Sequence, residues 1–209
     1  MHTPSAFIEK DLLTLQQHML ATRLAILVTQ GDQGLLASHV PLLLEPDQGP
    51  NGTLYGHLAR ANTQWHDLAN GTEALVIFAG QDAYISPSFY PSKAEHGKAV
   101  PTRNYTAVHA YGQVDVFDDA QRLLDVVTQL SDRHEAGRNE PWQVNDAPRD
   151  YIDGMLKAIV GFELPIGRLV GQRKLSQNRS AADQAGVRNG LFANNNAHDH
   201  ALAQLIAKE

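Results

Sequence analysis

Apolar residues at Leu12, Leu13, Leu15, Met19 and Leu20 follow a helical period and predict a short helix over Glu9 to Leu20. The compact run Leu24 to Thr29 predicts a strand. The turn chemistry of Gly31-Asp32-Gln33-Gly34 follows it, and Leu35 to Leu44 predicts the second strand of a hairpin. A turn at Gly49 to Gly52 leads into a third strand, Thr53 to His57, and then into a helix capped by Asn62 that buries Trp65 and Leu68. Glu73 to Ala79 and Ala83 to Ser86 read as strands around a Gly80-Gln81-Asp82 turn, and Tyr105 to Phe117 as a longer strand. Asp118 or Asp119 caps a helix through Leu130 with Leu123, Leu124, Val127 and Leu130 on one side. A second helix starts after Pro148 and carries Ile152, Met155, Leu156 and Ile159. Ile159 to Val170 returns to strand character, and His198 to Ala207 predicts a further helix. Short antiparallel strands with close turn signals point to a small barrel whose ends are covered by helices. With no internal repeat and no evident linker, residues 1–209 read as a single domain.

The stretch from Tyr84 to Tyr105 keeps neither period. Pro87, Pro91 and Pro101 each remove a backbone donor and push the preceding residue toward extended geometry, so Ser86 to Ala99 is expected to be a long ordered loop. It holds Tyr84, Phe89, Tyr90 and Tyr105 together with Lys93, Lys98 and Arg103. Two readings stay open. The rings and cations suit a flat, anionic ligand, or the rings are hydrophobic filler over the barrel or against a partner subunit.

Composition narrows the function classes. A formal charge of -6, from 17 Lys plus Arg against 23 Asp plus Glu, opposes broad non-specific binding to DNA or to an anionic membrane. The absence of Cys removes disulfides, thiolate zinc sites and a cysteine nucleophile. The first twenty residues lack the pattern of a signal peptide, and the longest aliphatic run, Leu24 to Val28, is too short for a membrane span, so the expected location is the cytoplasm. Dinucleotide, P-loop and serine-hydrolase signatures are missing. The ten histidines are scattered without metal-ligand spacing, so no metal site is assigned.

Two tracts remain as candidate anion sites. From Leu164 to Ala182 there is no acidic residue, while Arg168, Arg173, Lys174 and Arg179 bring four positive charges, and Ser176, Gln177 and Asn178 add short polar groups. A solvated turn balanced by nearby carboxylates is the structural alternative. The second tract, His57 to Asn62, sits where a strand passes into a helix, a place that favours phosphate, with Arg60 as a fork.

These tracts, with AYISPSFYPSK at Ala83 to Lys93 and GKAVPTRNYTAVHAYG at Gly97 to Gly112, resemble the motifs of the PaiB-like family of FMN-binding negative transcriptional regulators. The resemblance implies a mainly β fold with helices, an FMN-binding split β-barrel of the flavin-reductase and pyridoxamine-phosphate-oxidase type, assembled as a homodimer with flavin at the subunit interface. It implies that His57 to Asn62, including Arg60 and Asn62, holds the FMN phosphate, and that the strand from Ser38 through His39 to Leu43 lies along the isoalloxazine. Lys93 and Asn104 belong to the other matching motifs and are carried over as cofactor-binding residues. Lys174, Gln177, Asn178 and Arg179 match the family's most recognisable signature. Phe89 and Arg103 stand where relatives have Trp, and Gln172-Arg173 where they have Lys-Trp, so stacking surface is lost and occupancy by FMN is not implied. DNA as a partner comes from the family description alone. The alternatives are a flavin-dependent oxidoreductase, for which no acid, base or catalytic residue can be named, and a non-catalytic small-molecule-binding protein.

Overall fold

The computed structural model describes residues 1–32 and 34–206. Their elements are β1 (Ile8–Glu9), α1 (Leu12–Ala21), β2 (Ala25–Gly31), β3 (Gly34–Val40), β4 (Leu43–Glu45), β5 (Thr53–Ala59), α2 (Gln64–Ala69), β6 (Glu73–Ile85), α3 (Ser92–His96), β7 (Thr102–Gln113), β8 (Asp115–Phe117), α4 (Ala120–Glu135), α5 (Arg149–Leu156), β9 (Ile159–Pro165), β10 (Arg168–Lys174), α6 (Ala181–Ala193) and α7 (Ala197–Leu205). Gln33 of the predicted hairpin turn and Ala207 of the predicted last helix lie outside the described residues. The chain divides into two compact units, one of residues 16–78 and 109–169, the other of 1–15, 79–108 and 170 onward.

In the first of these units β2 pairs antiparallel with β3 and with β6, and a separate antiparallel sheet runs in the order β4-β5-β9-β8. Alternation places Leu54, Gly56 and Leu58 on one buried face of β5, with Tyr55 and His57 on the other. Against that second face pack Leu123, Val126 and Leu130 of α4 and Leu156 of α5, together with Leu43 and Phe117. The apolar stripe on α4 is the one its period predicts, and Asp119 caps the helix by accepting the Arg122 N–H at 2.9 Å. Gly161 gives the Phe117 ring room, since a Cβ there would overlap it.

The other unit is built on a sheet with strand order β1-β10-β7-β6, and its core joins Ala83, Ile85, Tyr90 and Leu175 to Val187, Leu191, Leu202, Ala203 and Ile206 of the α6–α7 end. Here the expected long loop is corrected. Ser86 caps a 3-10 turn, Pro87–Phe89, and Pro91 opens α3, which ends at Gly97 with φ of 67°. The prolines therefore start helical turns, where their missing N–H costs nothing. Tyr90 is buried in the core, and Phe89 packs on Gly186 and Gly190 of α6. Those two rings are filler, while Tyr84 is exposed. Gly80-Gln81-Asp82 is likewise no turn. β6 runs straight through it, because pairing with neighbouring strands overrides local turn preference. The apolar period does not signal α6, because its small residues Ala185, Gly186 and Gly190 blur it.

Asp183 holds the segment against α6. Its two carboxylate oxygens accept the Ser92 N–H at 3.1 Å and the Ser92 hydroxyl at 2.8 Å, and the side chain is buried. Burial pushes its pKa up, but the bonds from Ser92 and Ser180 and the Arg179 charge outweigh that and leave it below the ordinary carboxylate value. Asp183→Ala should cost about 2 to 3 kcal/mol at pH 7, because the Ser92 groups lose a charged acceptor. A carboxyl with a depressed folded pKa contributes stability above its unfolded pKa and loses it as pH falls through the folded one. Denaturant unfolding should then show the gap between wild type and Asp183→Ala narrowing in acid; a gap constant from pH 7 to pH 3 would contradict the assignment.

Candidate functional site

Where β5 runs out, residues 60–64 form a turn held from several directions, all within one unit. The Arg60 N–H donates to the Ala158 carbonyl at 2.8 Å, its Nε to the Lys157 carbonyl at 2.9 Å and its Nη2 to the Ile159 carbonyl at 3.0 Å. Asn62 Nδ2 donates to Ser38 Oγ on β3 at 2.9 Å, while its Oδ1 accepts the Gln64 N–H at 3.0 Å. Asn62 thus braces the start of α2 by an Asx-type bond, although the helix's N-cap position is Thr63. Gln64 is buried and its Nε2 lies within bonding distance of the Leu27 carbonyl and Thr29 Oγ1. Trp65 is half-buried, stacked on His66, and donates its indole N–H to the Arg60 carbonyl.

Several donors of this turn remain unspent. Arg60 Nη1 and the N–H groups of Ala61 and Thr63 donate to nothing among the described residues. Asp118 reaches only 3.8 Å from Arg60 Nη2 and is 74% exposed. Arg60 also lines a cleft of about 590 Å³, with Lys157, Arg149 and the apolar Leu123 and Leu156 among its walls. Nearby on β5, His57 has a buried Nδ1 without a partner among the described residues, and burial lowers its pKa, so the imidazole is neutral at pH 7. His39 stands exposed on β3.

The remaining predicted residues lie in the other unit, and many of their polar groups are used internally. Lys174 Nζ donates to Thr102 Oγ1 at 2.5 Å. Asn104 donates to Ser176 Oγ at 2.8 Å, its own Oδ1 being buried without a partner among the described residues. Gln177 bonds the Arg173 carbonyl and the Leu175 N–H, which closes the turn after β10, where Ser176 has φ of 67°. The Arg179 guanidinium lies 4.8 Å from the Tyr90 ring centroid. Asn178 and, on α3, Lys93 are exposed. Arg103 pairs with Asp82, and Arg173 stands 3.7 Å from Glu9. Both arginines at the departures from the family pattern are therefore matched to carboxylates.

Sequence reading missed Gln64, Arg149 and Lys157. The signal for the last two was present: Arg149, Asp153 and Lys157 recur every fourth residue along α5 and its end, on one helical face. Among the described residues no helix is long and apolar enough to cross a membrane, and no group of His, Asp and Glu could hold a metal.

Residues 1–168 match the family described as "Putative FMN-binding domain". A protein of Bacillus subtilis named protease synthase and sporulation protein PAI 2 is 31% identical over 171 residues, which covers 82% of this chain and 79% of that protein. An uncharacterized protein of Aspergillus fumigatus is 33% identical over 236 residues, covering 91% of this chain and 90% of its own length. Among solved structures, the FAD and heme binding protein from Mycobacterium smegmatis superimposes with a TM-score of 0.60 at 19% identity, over 85% of this chain and 78% of that one. The flavocytochrome Anf3 from Azotobacter vinelandii gives 0.59 at 14% identity, over 85% and 74%. The fold is the antiparallel, mainly β fold with helices of the flavin-binding split-barrel class. The chain belongs to the PaiB-like FMN-binding family, and FMN is the cofactor that this membership assigns.

The Asn62 brace is directly testable. Asn62→Ala removes both of its bonds and should cost about 1 to 2 kcal/mol in urea unfolding. Asn62→Asp keeps the Gln64 acceptor and lets the Ser38 hydroxyl donate instead, so it should recover most of that loss. Equal losses in the two variants would show that the bond pattern is not what holds the turn.

Proposed function

We propose that the turn at residues 60–64 receives the phosphate of FMN, and that the flavin-loaded protein acts as a homodimeric regulator of transcription. The observation that carries the cofactor part is the fixed fork of Arg60. Lys157 and Ile159 occupy its Nε and Nη2 donors, so the guanidinium is immobilised while Nη1 and the Ala61 and Thr63 N–H groups remain to be accepted. An oxyanion with several acceptor oxygens suits that donor set. The donors present thus fit a phosphate group. Ser38 and His39 on β3 are the residues proposed to flank the ring. When bound, FMN supplies a redox-active isoalloxazine; the protein's part is to hold the phosphate, exclude water and orient the ring.

The dimer has a separate support. β3 is the outermost strand in the order β6-β2-β3, Leu35 on it is 72% exposed, and Leu36 and Ser38 on its other face are only half-buried. An edge strand with an exposed leucine presents unpaired backbone groups and apolar surface that invite a partner. The regulatory role is supported by the resemblance of the sequence motifs to the PaiB-like negative transcriptional regulators.

Titration with FMN, followed by flavin absorbance and fluorescence, tests the cofactor reading. Arg60→Ala should weaken binding by about 1.5 to 3 kcal/mol, the range of a charge-assisted bond. An unchanged dissociation constant would move the phosphate elsewhere. Light scattering should give twice the 22.9 kDa of one chain, and a purely monomeric species at micromolar concentration would overturn the dimer. For the regulatory role, a mobility-shift assay at fixed salt should show specific DNA retained differently with and without FMN; no specific shift in either state would leave an FMN-binding protein with another task.

A further inference from the structure

Arg60 is not the only cation at its cleft. Lys157 follows α5 directly, and the same residue whose carbonyl holds Arg60 Nε sends an ammonium that has no partner among the described residues. Arg149, at the start of α5, also lines the cleft; its Nε is bonded to Asp153 Oδ1 at 2.8 Å. With Asp118 as the second carboxylate, three cations face two acids, a local positive excess in a chain whose formal charge is -6. Leu123 and Leu156, both buried, make an apolar wall behind them.

We infer that Lys157 and Arg149 determine the cofactor's phosphorylation state: they make the cleft select FMN over riboflavin. This rests on the phosphate reading of Arg60 given above. A doubly charged phosphate carries more charge than one guanidinium offsets, and the two additional cations supply the remainder. Lys157 acts as a mobile point charge, and Arg149 adds the outer nitrogens that Asp153 does not use. Asp118 acts in the opposite sense. It lies near the Arg60 fork without a normal hydrogen bond to it, and its repulsion weakens an incoming anion.

The test is a fluorescence titration of the full chain with FMN and with riboflavin at two salt concentrations. Wild type should bind FMN at least about tenfold tighter than riboflavin, a preference that shrinks with salt. Lys157→Met and Arg149→Gln should each lower FMN affinity about three- to tenfold with riboflavin unchanged, and Asp118→Asn should raise FMN affinity about two- to threefold. All three side chains are at the surface, and circular dichroism checks that each variant folds. If wild type prefers FMN and Arg60→Ala removes the preference while Lys157→Met and Arg149→Gln leave it intact, the role of α5 is overturned and the Arg60 reading stands. Equal affinity of wild type for the two flavins overturns the phosphate reading itself, and binding of neither overturns the flavin site as a whole.

Discussion

Two main-chain carbonyls, those of Lys157 and Ile159, hold one edge of the Arg60 guanidinium, and the chemistry of the candidate site depends on that restraint. A free surface arginine must lose much of its rotamer freedom before it can grip an anion. Here the loss is met on folding, by bonds to a charged donor that contribute about 1.5 to 3 kcal/mol each. The restraint acts both ways. It draws the β5–α2 turn onto the start of β9, and it leaves Nη1 presented in one orientation. Asn62 on Ser38 and Gln64 on the β2 carbonyl of Leu27 fix the same turn from its other side.

A second consequence is electrostatic. The chain carries an acid excess, so an anion needs a place where positive charge is not already paired. The sequence contains two candidate anion tracts, and the structure treats them differently. Around β10, Arg173 has Glu9 and Arg168 has Glu73 at 3.2 Å, while Lys174 gives a hydrogen bond to the neutral Thr102 hydroxyl. At Arg60 the Asp118 carboxylate stands at 3.8 Å, about as far as Glu9 from Arg173, but is 74% exposed and screened by water, Asp153 is engaged by Arg149, and Lys157 is unpaired among the described residues. Counting charges along the chain cannot separate these cases, because pairing is set by strand register and not by sequence distance.

Much of the architecture was legible from periodicity. The β2–β3 hairpin, the amphipathic α4 with its Asp119 cap, and the helix after Pro148 all follow local rules that dominate where one face is buried. The failures have physical causes. Gly80-Gln81-Asp82 looks like a turn by composition, yet ladder bonding carries β6 through it. The prolines of the 84–105 segment suggest a long ordered loop over Ser86 to Ala99, whereas Pro87 and Pro91 begin helical turns that bury Tyr90 against α6. Of the site, Arg60, Asn62 and Ser38 could be named in advance, and the Asn62–Ser38 bond joins two of them. That Arg60 is anchored by carbonyls almost a hundred residues away could not be read from sequence, since a backbone acceptor leaves no mark on residue type.

The unspent donors of the 60–64 turn are proposed to bind the cofactor's phosphate. Amide NMR of the labelled protein tests this most directly. On addition of FMN, the Ala61 and Thr63 N–H resonances should move downfield as they gain an anionic acceptor and should become protected from exchange, and riboflavin should leave them nearly in place. If FMN binds and shifts other resonances while these two amides stay unmoved, the phosphate lies elsewhere and the account fails.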